Sequence, residues 1–273
     1  MPAPKTRSTN GVARKATARR HLRHINCSVV LCLVALVVAI ASAPVEAAKV
    51  RLTRAAASKA ALDSIKPSHD GFPPLSVAAR FGNVDVVVAL KRSGADVDKA
   101  DIGGDTPLHV AARYGNVDVA AALMKAGADV DKADQGGYTP LSIAAQEGNL
   151  GVAAALMNAG ADVDKPNAKG QTPLHVATWY SGVDVAAALI KAGANVDTAD
   201  RYFDAPLHVA ARFGKVDVAA ALMEAGADVD KADQNGNTPL HVAVRFGNVD
   251  VAVALMKAGA DVDKPNAKGQ TPL

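Results

Sequence analysis

From about residue 73 the chain alternates apolar and polar blocks that return every 33 residues. Within one block, Pro107-Leu108-His109-Val110-Ala111-Ala112-Arg113-Tyr114 sets small and aliphatic side chains at helical spacing until Gly115-Asn116 interrupts it. Val117-Asp118-Val119-Ala120-Ala121-Ala122-Leu123-Met124-Lys125 then resumes the helical pattern as far as Gly127. The ends are marked by local chemistry. Thr106 suits an N-cap whose hydroxyl accepts an amide hydrogen bond, Pro107 stands where a missing N–H costs nothing, and Gly127 suits a left-handed terminus. The pattern predicts a helical hairpin followed by a polar, extended turn over 128–137.

The segment opening at Thr106-Pro107-Leu108 recurs at Thr139, Thr172, Ala205, Thr238 and Thr271, each 33 residues after the last. A fixed period of this length marks a solenoid, in which a unit too small to bury its own apolar face stacks on copies of itself. The expected fold is therefore an all-α, helix-turn-helix solenoid with hairpin-like turns. It occupies residues 68–273 as six full units and the opening of a seventh. Aromatic residues make up only 4% of the chain while hydrophobic residues reach 49%, so the interior must be built from Ala, Val and Leu. Function then has to be sought on an outer surface.

The run from Asp101 to Asp129, Asp-x-x-Gly-x-Thr-Pro-Leu-His-x-Ala-Ala-x-x-Gly followed by Leu-x-x-x-Gly-Ala-Asp, resembles the ankyrin repeat. The resemblance covers about 73–273 and implies an L-shaped stack whose turns and first helices line a concave, protein-binding face. Several positions depart from the pattern. Phe203 replaces a turn glycine, Ala205 replaces the capping threonine, and Thr178-Trp179-Tyr180-Ser181-Gly182 shifts the helix-ending glycine by one place. Both turn losses should weaken that junction, the missing cap by about 1 kcal/mol. The segment 162–174 recurs at 261–273, which points to duplication of a three-unit block. A chain that stops three residues into a unit reads as a fragment of a longer protein with a further C-terminal effector domain, or else as a frayed tail.

The N-terminal part has different chemistry. Residues 1–24 hold Lys5, Arg7, Arg14, Lys15, Arg19, Arg20 and Arg23 without an acid, and residues 25–47 contain the apolar run Val29–Ala41. A basic leader before an apolar run has the layout of a membrane-targeting element. Two readings stay open: a signal peptide cleaved before Ala48, or a signal anchor spanning 25–43. Either places the protein at a membrane or in the secretory pathway, with an Arg-rich organelle transit sequence as a third reading. Residues 48–67 read as an Ala/Lys/Arg-rich linker or cap. Both cysteines, Cys27 and Cys32, belong to this part, so the array forms no disulfide. Once the seven leader cations are set aside, 23 basic groups face 27 acidic ones. A balance of −4 argues against nucleic acid as the partner.

Candidate chemistry is sparse. His109, His175, His208 and His241 share one register, but stacked helices hold such side chains 8 to 10 Å apart, too far to converge on one ion. The resemblance implies that they bond backbone between adjacent units. Asp129, Asp131 and Asp134 lack the spacing and closing glutamate of a calcium loop. No phosphate loop, nucleophile elbow or zinc motif is present, so neither catalysis nor a cofactor is expected. What stands out is the column ahead of each helix-ending glycine: Arg80-Phe81, Arg113-Tyr114, Gln146-Glu147, Trp179-Tyr180, Arg212-Phe213 and Arg245-Phe246. In the ankyrin family these positions point into the groove, and Arg, Tyr, Trp and Phe dominate interface energetics. The plain alternative has the rings packing on the neighbouring unit beside solvated arginines. Trp179, Tyr180, Tyr202 and Phe203, flanked by Arg201 and Arg212, are expected to lie together as a peptide anchor or as repair packing around the defective turn. The expected function is non-catalytic binding of an unidentified protein or peptide; the alternative is a membrane-tethered scaffold or targeting subunit.

Overall fold

The computed structural model describes residues 72–273, so the basic region at 1–24, the targeting segment at 25–47 and the linker at 48–67 lie outside the described residues. Twelve helices follow in pairs: α1 Pro74–Arg80, α2 Val84–Arg92, α3 Pro107–Tyr114, α4 Val117–Lys125, α5 Pro140–Glu147, α6 Leu150–Asn158, α7 Pro173–Tyr180, α8 Val183–Lys191, α9 Pro206–Phe213, α10 Val216–Glu224, α11 Pro239–Phe246 and α12 Val249–Lys257. No strand forms among the described residues, and no helix there is long and apolar enough to cross a membrane. Several first helices begin at a threonine cap. Thr106, Thr139 and Thr238 accept amide hydrogen bonds from the third helical residue at 3.4, 3.2 and 3.5 Å, and proline occupies the next position in every case.

First helices pack on first helices and second on second, in chain order. Leu108, Leu141, Leu174 and Leu240 of the first set and Leu123, Leu156, Leu189 and Leu222 of the second are fully buried. Each such leucine contributes about 2 kcal/mol of apolar burial. Between them Ala111, Ala112, Ala144, Ala145 and Ala210 are also fully buried, which lets the helix backbones approach closely.

Polar ladders tie unit to unit. His109 Nε2 lies 3.0 Å from the Tyr138 carbonyl, and His175, His208 and His241 make the same bond to Asp204, Asn237 and Gln270. On the other ring face His109 Nδ1 accepts the Thr106 N–H, so the proton sits on Nε2. Burial pushes His109, His175 and His208 below the ordinary imidazole value, against the upward pull of the carbonyl each one binds. A second ladder runs through asparagine: Asn149 Nδ2 donates to the carbonyls of Ala112 at 2.7 Å and Arg113 at 3.1 Å, as Asn116 and Asn248 do in their own units. The turn aspartates form a third. The Asp129 N–H donates to Asp98 at 3.1 Å, and Asp131, Asp164, Asp197 and Asp230 receive the equivalent bond from the following unit.

A fourth ladder joins the turn tips and depends on glycine. The Gln135 N–H donates to the Gly103 carbonyl at 3.1 Å, Ala168 to Gly136 at 2.9 Å, Arg201 to Lys169 at 3.0 Å and Ala267 to Asn235 at 2.9 Å. A Cβ built on Gly104, Gly137, Gly170 or Gly236 would stand 2.8, 2.5, 3.1 or 2.7 Å from that donor nitrogen. Phe203 occupies this register with φ 62°, the one non-glycine residue with positive φ among those described. A Cβ in this register crowds the incoming N–H at the other tips, and here no bond joins the Gln234 N–H to the Tyr202 carbonyl.

The remaining sequence irregularities gather on either side of α7–α9. Ser181 takes over the asparagine role from one position earlier, its hydroxyl donating to the Ala145 carbonyl at 2.5 Å. Lys215 stands where Asn116, Asn149 and Asn248 stand elsewhere and makes no such bond among the described residues. Ala205 offers no side-chain acceptor to α9, although His208 Nδ1 still accepts the Ala205 N–H at 3.2 Å. Of the successive first helices, α7 and α9 pack least closely.

Candidate functional site

The C-terminal turns of α1, α3, α7, α9 and α11 carry the column singled out in the sequence, and stacking gathers it into two runs of touching rings and arginines on either side of α5. Arg80 lies 5.3 Å from the Tyr114 ring of the following unit and 6.0 Å from its own neighbour Phe81. Trp179 packs on Phe213 of the following unit with centroids 4.8 Å apart, and on Tyr180 at 5.9 Å. Arg212 lies 5.9 Å from the Phe246 ring, and Arg245 approaches the same ring at 6.0 Å. Every ring of the strip keeps one face in water: Phe81, Tyr114, Tyr180, Phe213 and Phe246 are exposed, and Trp179 retains 37% of its surface. The strip is thus both packed on its neighbours and open to solvent. Gln146 and Glu147 of α5 interrupt it with a polar step.

Two of the arginines are fixed. Arg113 pairs with Asp105 and Arg212 with Asp204, the latter at 2.7 Å. Burial is the largest influence on Arg113 and disfavours its charge, but the Asp105 hydrogen bond and the attraction of Asp105 and Glu147 together outweigh it and hold the guanidinium above its ordinary value. Arg80 and Arg245 have no such carboxylate among the described residues, and both lean on rings. Asp105 and Asp204 did not figure among the residues expected at the site. Their signal was present in the sequence, eight positions before the arginine each one holds. Tyr138 was missed as well. It occupies the register of Asp105 ahead of α5, and burial first, then the Tyr180 phenol, push its hydroxyl up.

The cluster expected around Trp179 differs in membership. Trp179 and Tyr180 meet Phe213, whereas Tyr202 and Phe203, each 58% exposed, stand at the turn tip. The reason is geometric: α7 and α9 stack side by side, so the end of one meets the end of the other. The tip lies at the opposite end of α9, about 12 Å away at 1.5 Å per residue. The Arg201 N–H belongs to the tip ladder, and the Arg212 guanidinium pairs with Asp204 beside Phe213.

Model matching for the family described as ankyrin repeats (3 copies) aligns residues 36–134, 123–200 and 201–273. The chain belongs to the ankyrin repeat family. Solved ankyrin arrays superimpose on it: the human ASB11 ankyrin repeat domain at 31% identity and TM-score 0.67, covering 74% of this chain and 90% of that one. The ankyrin repeat domain of Bcl-3, described as a unique member of the IkappaB protein family, follows at 28% identity and TM-score 0.69, covering 75% and 93%. No curated protein sequence matches. Ankyrin repeat domains mediate protein–protein interactions. In this array the repeated histidines bind carbonyls of the following repeat, Asp131 accepts an N–H from the next repeat, and Asp129 and Asp134 accept N–H groups of their own turns.

Proposed function

We propose that this ankyrin array is a non-catalytic recognition surface that binds a protein partner along its concave face. The observation that carries the reading is the strip of half-exposed rings and arginines running from Arg80-Phe81 to Arg245-Phe246 over successive first helices. Large rings already held by a neighbour lose little side-chain freedom on binding, which is what makes Trp, Tyr and Arg strong anchors. Trp179 is the central anchor because it is braced by Tyr180 and Phe213 and still open. Partners captured by proximity labelling with the full chain supply the ligand for the test. Trp179→Ala is expected to weaken the purified complex by at least about 2 kcal/mol, roughly 30-fold. Unchanged affinity alongside a lowered melting temperature would sink the proposal and leave Trp179 as packing only.

A second reading rests on the sequence of the leader. Seven basic groups ahead of the apolar residues 25–43 favour a membrane-tethered scaffold, with the array positioned by its N-terminus in the membrane or secretory system. Mass spectrometry of the intact chain decides: retained residues 1–47 support the tether, and their loss supports a released, soluble binder.

A further inference from the structure

The missing rung at Phe203 leaves an opening. The tip containing Tyr202 and the one containing Gln234 lack the rung that joins the other tips, and a cleft of about 370 Å³ lies beside them, lined by both turns and by α9 and α11. Tyr202, Asp204, Arg212, Asp233, Arg245 and Phe246 line it, and its volume falls within the range of built ligand sites. Three of its four charged groups are already engaged. Asp204 and Arg212 hold each other at 2.7 Å. Asp233 accepts the N–H groups of Asn235 at 2.7 Å and Asn237 at 2.9 Å and the Asn237 side-chain amide at 3.0 Å. The fourth, Arg245, has no carboxylate among the described residues, because Asn237 stands eight positions ahead of it where Asp105 and Asp204 precede the paired arginines.

Arg245 therefore presents an exposed fork of N–H donors backed by the Phe246 ring. That combination recognises a carboxylate in bidentate fashion. With two anions and two cations on the walls the lining is neutral overall, so a single negative charge is accommodated and a dianion is disfavoured. The Tyr202 carbonyl and the Gln234 N–H, unpaired with each other, supply one acceptor and one donor for an extended backbone. We infer that this cleft takes one aspartate or glutamate side chain from an extended segment of a protein partner, with the carboxylate on Arg245 and the flanking residue against Tyr202 and Phe246. The inference rests on the protein-recognition reading and adds the chemistry of one subsite to it.

A displayed library of random dodecapeptides panned on the full chain supplies the probe. The enriched sequences are expected to share an acidic position. A fluorescein-labelled enriched peptide should lose about tenfold in affinity when that acid becomes its amide, and the same amount against Arg245→Gln. Binding should weaken further as salt rises, and an exposed control, Lys125→Gln, should leave it unchanged. Phe203→Gly, which lets the next tip close on the cleft, should weaken binding while raising the melting temperature, a pairing that a purely structural role for the tip would not produce. Enriched peptides without a shared acid, undiminished binding to Arg245→Gln, or displacement by millimolar inorganic phosphate would each overturn the cleft assignment. So would a library that yields no binder. These failures are distinct from that of the strip itself, which is read by Trp179→Ala against its captured partner.

Discussion

Replacing Phe203 by glycine should stabilise the array although it removes a large side chain. Phe203 sits at φ 62°, a conformation that costs an L-residue roughly 1–2 kcal/mol. Glycine relieves that strain and empties the space in which the Gln234 N–H reaches the Tyr202 carbonyl, a hydrogen bond with a net contribution of about 1 kcal/mol. Against this, the ring is 58% exposed, so the lost burial is about 1 kcal/mol, and the added chain entropy of glycine takes back roughly 0.5–1 kcal/mol. The net expectation is about 1 kcal/mol in favour of the variant, near 2–4 °C in melting temperature for an array of this size. Phe203→Ala keeps the strained Cβ and loses the ring, so it should destabilise by about 1 kcal/mol. Urea titration of both variants, with amide exchange at Gln234 as the local readout, supplies the check. A glycine variant less stable than the parent, or equal effects from Gly and Ala, would refute the reasoning about the tip ladder.

Other consequences follow from the same ladders. Lys215→Asn should supply the missing asparagine rung to the carbonyls at the end of α7, and Ala205→Thr should restore the cap of α9; each is expected to raise the urea midpoint by about 1 kcal/mol equivalent. The pH response has a definite sign. His109, His175 and His208 are depressed by burial, so below the unfolded value of about 6.5 the unfolded chain binds protons that the folded one refuses. Stability should be level above that value and fall as the pH drops from there toward the folded values. The slope is up to about 1.4 kcal/mol per pH unit for each histidine. Urea midpoints measured across that window test the claim, and a curve flat down to pH 5 would contradict it.

The helices were legible because their signals are local: Thr106 and Pro107 set one end, and Gly115 the other, within a few residues. The roles of the repeated histidines followed from the ankyrin resemblance and reappear as bonds to Tyr138, Asp204, Asn237 and Gln270. The Phe203 defect was visible as a broken register, yet its larger consequence was not. Only the close approach at the equivalent glycines, together with the missing Gln234 rung, shows what a Cβ does at this register. Likewise the neighbour of Trp179 could not be read from proximity in sequence. Phe213 lies farther along the chain than Tyr202 and Phe203 but on the same end of the stacked helices. The arginine pairing was hidden for a different reason, since Asp105 and Asn237 look interchangeable in a polar turn until the guanidinium eight residues later is placed above them. The basic leader and the apolar segment fall outside the described residues.

The slack packing between α7 and α9 has a mechanical corollary. Where each unit leans only on the next, the weakest junction sets where cooperativity lapses. An array pulled from its ends or eased open by denaturant should part there first, into an amino-terminal block ending near Lys191 and a carboxyl-terminal block starting at Pro206. Trp179, lodged against Phe213 across that seam, would report the parting through its fluorescence before either block unravels.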